Sequence, residues 1–116
     1  MKLPQTFEAL VNEATNLNLY KKLLFQLNKD LLYANINLSF DVKTLPEHLK
    51  FMLHEKVYYL IQHKFSDYLN LLYIVDVSEP KVRELDGNDT IKLSEVVTFL
   101  ILQREWQKVW YKEKRS

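Results

Sequence analysis

The chain has 116 residues, a net charge of +1, 47% hydrophobic and 27% charged residues, and no cysteine. That composition reads as a single globular domain over 1–116, long enough to stand on its own core, rather than a disordered chain or two domains. No charge excess draws nucleic acid over the whole surface, and without cysteine there is no disulfide, thiol nucleophile or thiolate-bound metal, which fits a reducing cytosol.

The N-terminus, MKLPQTFEALVNEA, lacks a secretory apolar core because Glu8, Asn12 and Glu13 interrupt it. The same stretch predicts a first helix. Phe7, Leu10, Val11 and Ala14 recur at helical spacing, and Thr6 follows Pro4 as a candidate N-cap. Asn16 and Asn18 mark a break. The second helix then places Leu19, Leu23, Leu27 and Leu31 on one side, with Lys21, Lys22, Lys29 and Asp30 elsewhere.

Residues 35–42, NINLSFDV, behave differently. Ile36, Leu38, Phe40 and Val42 alternate with Asn35, Asn37, Ser39 and Asp41, the period of a half-buried strand. No second stretch alternates as well, so the expectation is an extended crossing segment, with a short strand as the alternative.

Thr44–Leu45–Pro46–Glu47 predicts a helix start, with Thr44 as cap, Glu47 closing a capping box and Pro46 in the first turn. From there Leu49, Leu53, Val57, Ile61, Phe65, Leu69 and Leu72 form one stripe. A continuous helix over 45–76 would span about 48 Å. That is long for this chain, so a break is expected near Ser66 and Asp67. DVSEPKVRELDGN predicts a stop and a short helix, capped by Ser78, with Pro80 in its first turn and Gly87 at its end. The last helix begins within DTIKLSE and runs to residue 113. Gly87 is the only glycine in the chain, which argues against hairpins and for helices. The expected fold is an all-α, single-domain bundle of five or six helices with a possible short extended segment at 35–42. No apolar run approaches the about 20 residues of a membrane span, so the chain is expected to be cytoplasmic and free of the membrane.

The stretch DYLNLLYIVDVSEPKV, residues 67–82, followed by LILQREWQKVW, residues 100–110, resembles a pattern in small uncharacterised bacterial proteins. In that pattern an LLY-x-x-DVSE turn precedes a C-terminal RE-x-QKV helix. The resemblance implies a helical fold and a bacterial source. It carries over no catalytic or binding residue.

Motifs for chemistry are scarce. One glycine excludes a Walker loop and a dinucleotide fingerprint. G-x-S-x-G is missing, and so is H-E-x-x-H, since His54–Glu55 is followed by Lys56, Val57 and Tyr58. No Glu-x-x-His pair suggests a di-iron bundle. No cofactor is expected. His63 and Asp67 would share a face of a continuous helix, but a metal needs a third ligand, so they read first as solvated polar residues. Asp76 interrupts LLYIVDV at the end of an apolar stripe, and a buried carboxylate must be paired. It reads as a helix-terminal residue that caps the next turn or pairs with a base such as Arg104. The alternative is a catalytic carboxylate, for which the sequence names no acid–base partner. Tyr58, Tyr59, Tyr68 and Tyr73 read as the border of a core, with a lined pocket as the alternative.

The C-terminal stretch REWQKVWYKEKR mixes both tryptophans with charge. At about 100° per residue, Phe99, Leu102, Trp106, Val109 and Trp110 form one seam, and Arg104, Lys108, Lys112 and Arg115 form a row nearly opposite. The aromatics and the cations therefore do not line one groove, which weakens a nucleic-acid reading. The first half of this helix is apolar all round. It is either the central helix, or Val97 and Ile101, which share a side with Arg104 and Lys108, are covered by another chain.

Three functional readings follow. The first is a non-enzymatic helical interaction module, self-associating or holding a protein partner, with Val97, Ile101, Arg104, Lys108, Lys112 and Arg115 as the interface. The second is weak nucleic-acid binding through the basic row. The third is an enzyme with a buried carboxylate or histidine in a tyrosine-lined pocket.

Overall fold

The computed structural model describes residues 1–78, 82 and 88–115. Those residues form five α-helices and no strand: α1 (Phe7–Asn16), α2 (Tyr20–Tyr33), α3 (Pro46–His63), α4 (Phe65–Val75) and α5 (Thr90–Arg115). The all-α bundle is as expected. Most of the short helix expected between Ser78 and Gly87 lies outside the described residues.

Helix α5 has 26 residues, about 39 Å at 1.5 Å per residue, and so runs the full 39 Å length of the molecule. It packs against each of the other four helices, and most extensively against α3. Leu102, Trp106 and Val109 are buried on one side, and Val97 and Ile101 on the other. An apolar helix surrounded in this way is the central element of the fold.

With one glycine, the chain needs other residues for left-handed helix ends. It uses Asn18, Asn35 and Asp76, the only described non-glycine residues with positive φ, at 59°, 59° and 70°. Short polar side chains tolerate this conformation best after glycine. After α1, the Leu19 amide donates to the Ala14 carbonyl and the Asn18 amide to that of Thr15. The end of α2 repeats the pattern, with Ile36 donating to Leu31 and Asn35 to Leu32. These are Schellman closures, and in both the following apolar residue, Leu19 or Ile36, turns back into the core. At the opposite end of α1, Thr6 caps as expected, its Oγ1 accepting from the Ala9 amide at 3.1 Å.

The segment after α2 is an irregular, unpaired crossing, with a tight turn in which the Leu38 amide donates to the Ile36 carbonyl at 2.9 Å. Ile36 and Phe40 are buried and Leu38 is half-buried, so the alternation does record sidedness, up to the exposed Val42. A missing strand partner leaves backbone groups to satisfy. Asn28 of α2 supplies one substitute: its Nδ2 donates to the Phe40 carbonyl and its Oδ1 accepts from the Phe40 amide, both at 2.8 Å. One side-chain amide thus does locally what a neighbouring strand would do.

Two boundaries differ from expectation. Helix α3 is capped by Leu45 with no side-chain hydrogen bond, so the Thr44–Glu47 capping box does not form. Thr44 is held instead through its backbone, its amide donating to Asp41 and its carbonyl accepting from Tyr20 Oη at 2.7 Å. The break after α3 comes at Lys64, ahead of Ser66. Lys64 alone leaves helical dihedrals, at φ −141° and ψ 61°. That single residue divides the apolar stripe: Leu49, Leu53, Val57 and Leu60 face the core in α3, whereas in α4 the core face is Tyr68, Leu71, Leu72 and Val75. Phe65 and Leu69 are turned outward.

The Asn caps predict a simple comparison. Asn35→Ala places a Cβ-bearing aliphatic residue at positive φ and costs about 1–2 kcal/mol. Asn35→Gly relieves that strain and stays within a few tenths of a kcal/mol of wild type. Urea unfolding at matched m-values measures both.

Candidate functional site

The interface first expected on α5 divides in two. Val97 and Ile101 are fully buried by the chain's own helices, so no partner reaches them in this fold. The alternative, a central helix, describes them. The reason is geometric: the side of α5 that carries Val97, Ile101, Arg104 and Lys108 faces into the bundle.

The cations lower on that side are consequently engaged. Arg104 donates from Nε to the Asp76 carbonyl and from Nη2 to Asp76 Oδ2, both at 3.1 Å, and from Nη1 to Gln107 Oε1 at 3.2 Å. Asp76 thus holds both properties expected of it, a helix end and a bond to Arg104, but its side chain is exposed, not buried. Lys108 donates from Nζ to Asp30 Oδ2 at 2.7 Å and to the Ile74 carbonyl at 3.4 Å, joining α2 and α4 to α5. Lys112 donates to Gln26 Oε1 at 2.9 Å. Arg115 lies at the exposed end of the row.

Beneath Lys108 sits a pair of carboxyl groups. Asp30 and Glu105 are both buried, Glu105 completely. Lys108 Nζ lies 3.5 Å from Glu105 Oε1, yet neither Glu105 oxygen accepts a hydrogen bond. Two negative charges in so dry a place cannot share one ammonium. Burial, then the hydrogen bond to Asp30 and its charge, push the Glu105 carboxyl up to about 10, against the pull of Lys108. Glu105 is therefore protonated at neutral pH, and its O–H is a donor to Asp30. A neutral carboxyl also loses far less than a carboxylate from the lack of donors around its two oxygens. Burial alone would raise Asp30 too. Hydrogen bonds from Glu105, Lys108 and Gln26, with the charge of Lys108, outweigh it and leave Asp30 below the usual carboxylate range. The cluster is one ion pair, Lys108–Asp30, plus a neutral acid.

A cleft of about 370 Å³ opens over this cluster. Its walls are Gln26 of α2 and Arg104, Lys108, Tyr111, Lys112 and Arg115 of α5. The basic row thus lines a recess and does not project from a convex surface.

The other polar residues singled out in the sequence lie apart from this cluster. The Lys64 break separates His63 from Asp67, and His63 instead lies against Tyr59 with ring centroids 5.0 Å apart. His54 borders a cavity of about 590 Å³ walled by Phe7, Phe51 and Phe99, with no tyrosine. Its Nε2 lies 2.7 Å from Ser94 Oγ, and the Ile91 carbonyl oxygen lies 2.7 Å from the same hydroxyl. The hydroxyl thus has two neighbours at equal distance, and which of Ser94 Oγ and His54 Nε2 donates follows the imidazole tautomer. Ser94 is fully buried and does not line that cavity, so its hydroxyl is not presented to a ligand there. Asp76 faces Arg104, which has no proton to transfer at neutral pH. Among the described residues, no group of three or more histidine or acidic side chains is placed to hold a metal ion, and no helix is long and apolar enough to cross a membrane.

No family model, curated protein or solved structure matches this chain.

Glu105 escaped the sequence reading because a glutamate between Arg104 and Lys108 looks like surface charge. Its signal lay in the helical wheel, where it falls between the apolar seam and the row that includes Val97 and Ile101.

The shared proton makes stability depend on pH. In the unfolded chain Glu105 ionises near the ordinary 4.5, and in the fold near 10. Between those values folding takes up a proton. The contribution of Glu105 is therefore complete below about 4.5 and declines as pH rises toward 10. Asp30 works in the opposite sense: its folded value is lowered, so its contribution is present at neutral pH and is lost as pH falls through that value. Glu105→Gln keeps a neutral donor and flattens the alkaline decline of Tm. In Asp30→Asn, Glu105 gives up its proton and becomes the partner of Lys108. The double variant leaves Lys108 with no counter-charge and costs about 3–5 kcal/mol, more than the two single losses together. Strict additivity in a double-mutant cycle would contradict the shared proton.

Proposed function

We propose that the protein is a non-enzymatic helical interaction module that associates with a second copy of itself through α4. The observation that carries this reading is an apolar stripe on the outer face of that helix. Phe65, Leu69 and Tyr73 recur every fourth residue and are 55%, 50% and 81% exposed. Residues four apart on a helix stand one above the other. The opposite side of α4 is already docked on the core, so this helix is apolar on both faces and only one is covered. Leu32 and Tyr33, also exposed, extend the patch from the end of α2, which Asn70 ties to α4 through the Ala34 carbonyl.

A second copy fits the stripe for two reasons. The spacing is the same on either side of Leu69, so two α4 helices can cross antiparallel about a two-fold axis, Phe65 of each against Tyr73 of the other. Closed symmetric pairs of this kind are the commonest oligomers. The area also suffices: aromatic side chains carry about 150–250 Å² each. Three of them half exposed or more, with two leucines, offer several hundred Å² per protomer against the roughly 800 Å² of a standard interface.

Nucleic-acid binding is less well supported, because the aromatic seam lies on the other side of α5 from the cations and Trp106 is fully buried. An enzymatic reading finds, among the described residues, Ser94 fully buried beside His54, no tyrosine in the cavity that His54 borders, and Asp76 paired with Arg104.

Analytical ultracentrifugation across micromolar concentrations tests the proposal. A dimer is expected for the wild type and a monomer of unchanged Tm for Leu69→Asp. A wild type that stays monomeric up to about 100 μM, a Kd range of weak contacts, would overturn it, as would a dimer that survives Leu69→Asp.

A further inference from the structure

We infer that the cleft between α2 and the C-terminal half of α5 is a binding site for a small phosphate-bearing anion. The inference rests on the cleft and its charge, independently of the α4 surface.

Four cations, Arg104, Lys108, Lys112 and Arg115, line one recess of about 370 Å³, a volume in the range of small-ligand sites. They follow one another at intervals of four, four and three residues, so their heads stack along one side of α5. Like charges so placed repel, and a helix carrying them is destabilised unless something answers the charge. The helix dipole accounts for cations in the last turn, but not for Arg104 and Lys108 two to three turns earlier.

The fold answers only part of the charge. Lys108 is neutralised by Asp30, and Glu105 beneath it is uncharged at neutral pH. Arg104 is met by Asp76 at the outer edge. The side-chain partner of Lys112 is the neutral amide oxygen of Gln26. Lys112 and Arg115 are exposed at the mouth. Among the described residues, two cations at the mouth and two at the floor and edge thus answer to two carboxylates. Tyr111 adds a hydroxyl donor beside them.

The ligand chemistry follows from this lining. The walls offer N–H and O–H donors in number and no carboxylate, since Asp30 bonds Lys108 from beneath and does not line the cleft. A group that takes several charge-assisted bonds at once through three oxygens fits these walls, and phosphate is such a group. Arginine and lysine together suit it, one by its planar fork and one as a point charge. The recess favours a compact anion over a duplex, whose phosphates reach cations that project from a surface.

Isothermal titration of the full chain with inorganic phosphate, pyrophosphate and a nucleoside diphosphate, at low ionic strength, tests the site. Pyrophosphate is expected to bind with a Kd below about 1 mM. The double variant Lys112→Gln/Arg115→Gln is expected to weaken it about tenfold or more, as the loss of two charge-assisted bonds requires, while the ligand-free fold loses only the Lys112–Gln26 hydrogen bond and stays folded by circular dichroism. A nucleoside diphosphate tighter than pyrophosphate assigns the phosphate to a nucleotide, and equal affinity assigns it to the free anion; both outcomes support the site. Four results overturn it: no binding, equal binding by the double variant, the same heat from sodium chloride at matched ionic strength, or a duplex oligonucleotide bound more tightly than pyrophosphate. Leu69→Asp serves as a control that leaves binding intact.

Discussion

Everything in this molecule is arranged around the need to enclose α5. A helix with Val97 and Ile101 on one side and Leu102, Trp106 and Val109 on another cannot stay in water, and four helices wrap it. The enclosure has a consequence for the charged residues further along. Arg104, Glu105 and Lys108 lie on faces that are already turned inward, so the fold has to satisfy their charge inside. It does so with Asp30 from α2, Asp76 and the Ile74 carbonyl from the end of α4, and a proton kept on Glu105. Burying an ion pair brings little net stability, because desolvation offsets the attraction. Removing one member is costly, however, so the pair holds α2, α4 and α5 in one register.

The same constraint determines where function can lie. Fully buried aliphatic residues such as Val97 and Ile101 are no partner surface. What the fold leaves outside is α4, whose Phe65, Leu69 and Tyr73 are displaced from the core by the single non-helical residue Lys64. It also leaves the end of the basic row, where Lys112, bonded to Gln26 of α2, and Arg115 are exposed and border the cleft. The apolar stripe and the cleft are separate surfaces with different chemistry, one suited to a helix and the other to an anion.

Much of the fold was legible in the sequence because it rests on periodicity. The tryptophan seam, the sidedness of residues 35–42, the Thr6 cap and the bond between Asp76 and Arg104 all follow from spacing or from local charge. The losses share one cause: tertiary contacts outweighed local rules. The carbonyl of Thr44 went to Tyr20, and no capping box formed. The stripe through Phe65 and Leu69 read as continuous core because nothing at Lys64 signals a break. Glu105 read as surface charge because burial of an acid depends on what other helices bring to it, and Asp30 lies 75 residues away in the chain. The low glycine count was read correctly as helical, but the use of Asn18, Asn35 and Asp76 as its replacement shows only in backbone angles.

The central claim is that the basic side of α5 faces inward over two carboxyl groups that hold one proton between them. Carbon-13 NMR of the glutamate side-chain carboxyls, with Glu105 assigned by its absence in Glu105→Gln, tests this directly. The account predicts one glutamate that keeps the chemical shift of a protonated acid through neutral pH and titrates only toward 10. A spectrum in which every glutamate titrates near the ordinary 4.5 would contradict it, and would put Glu105 back in water.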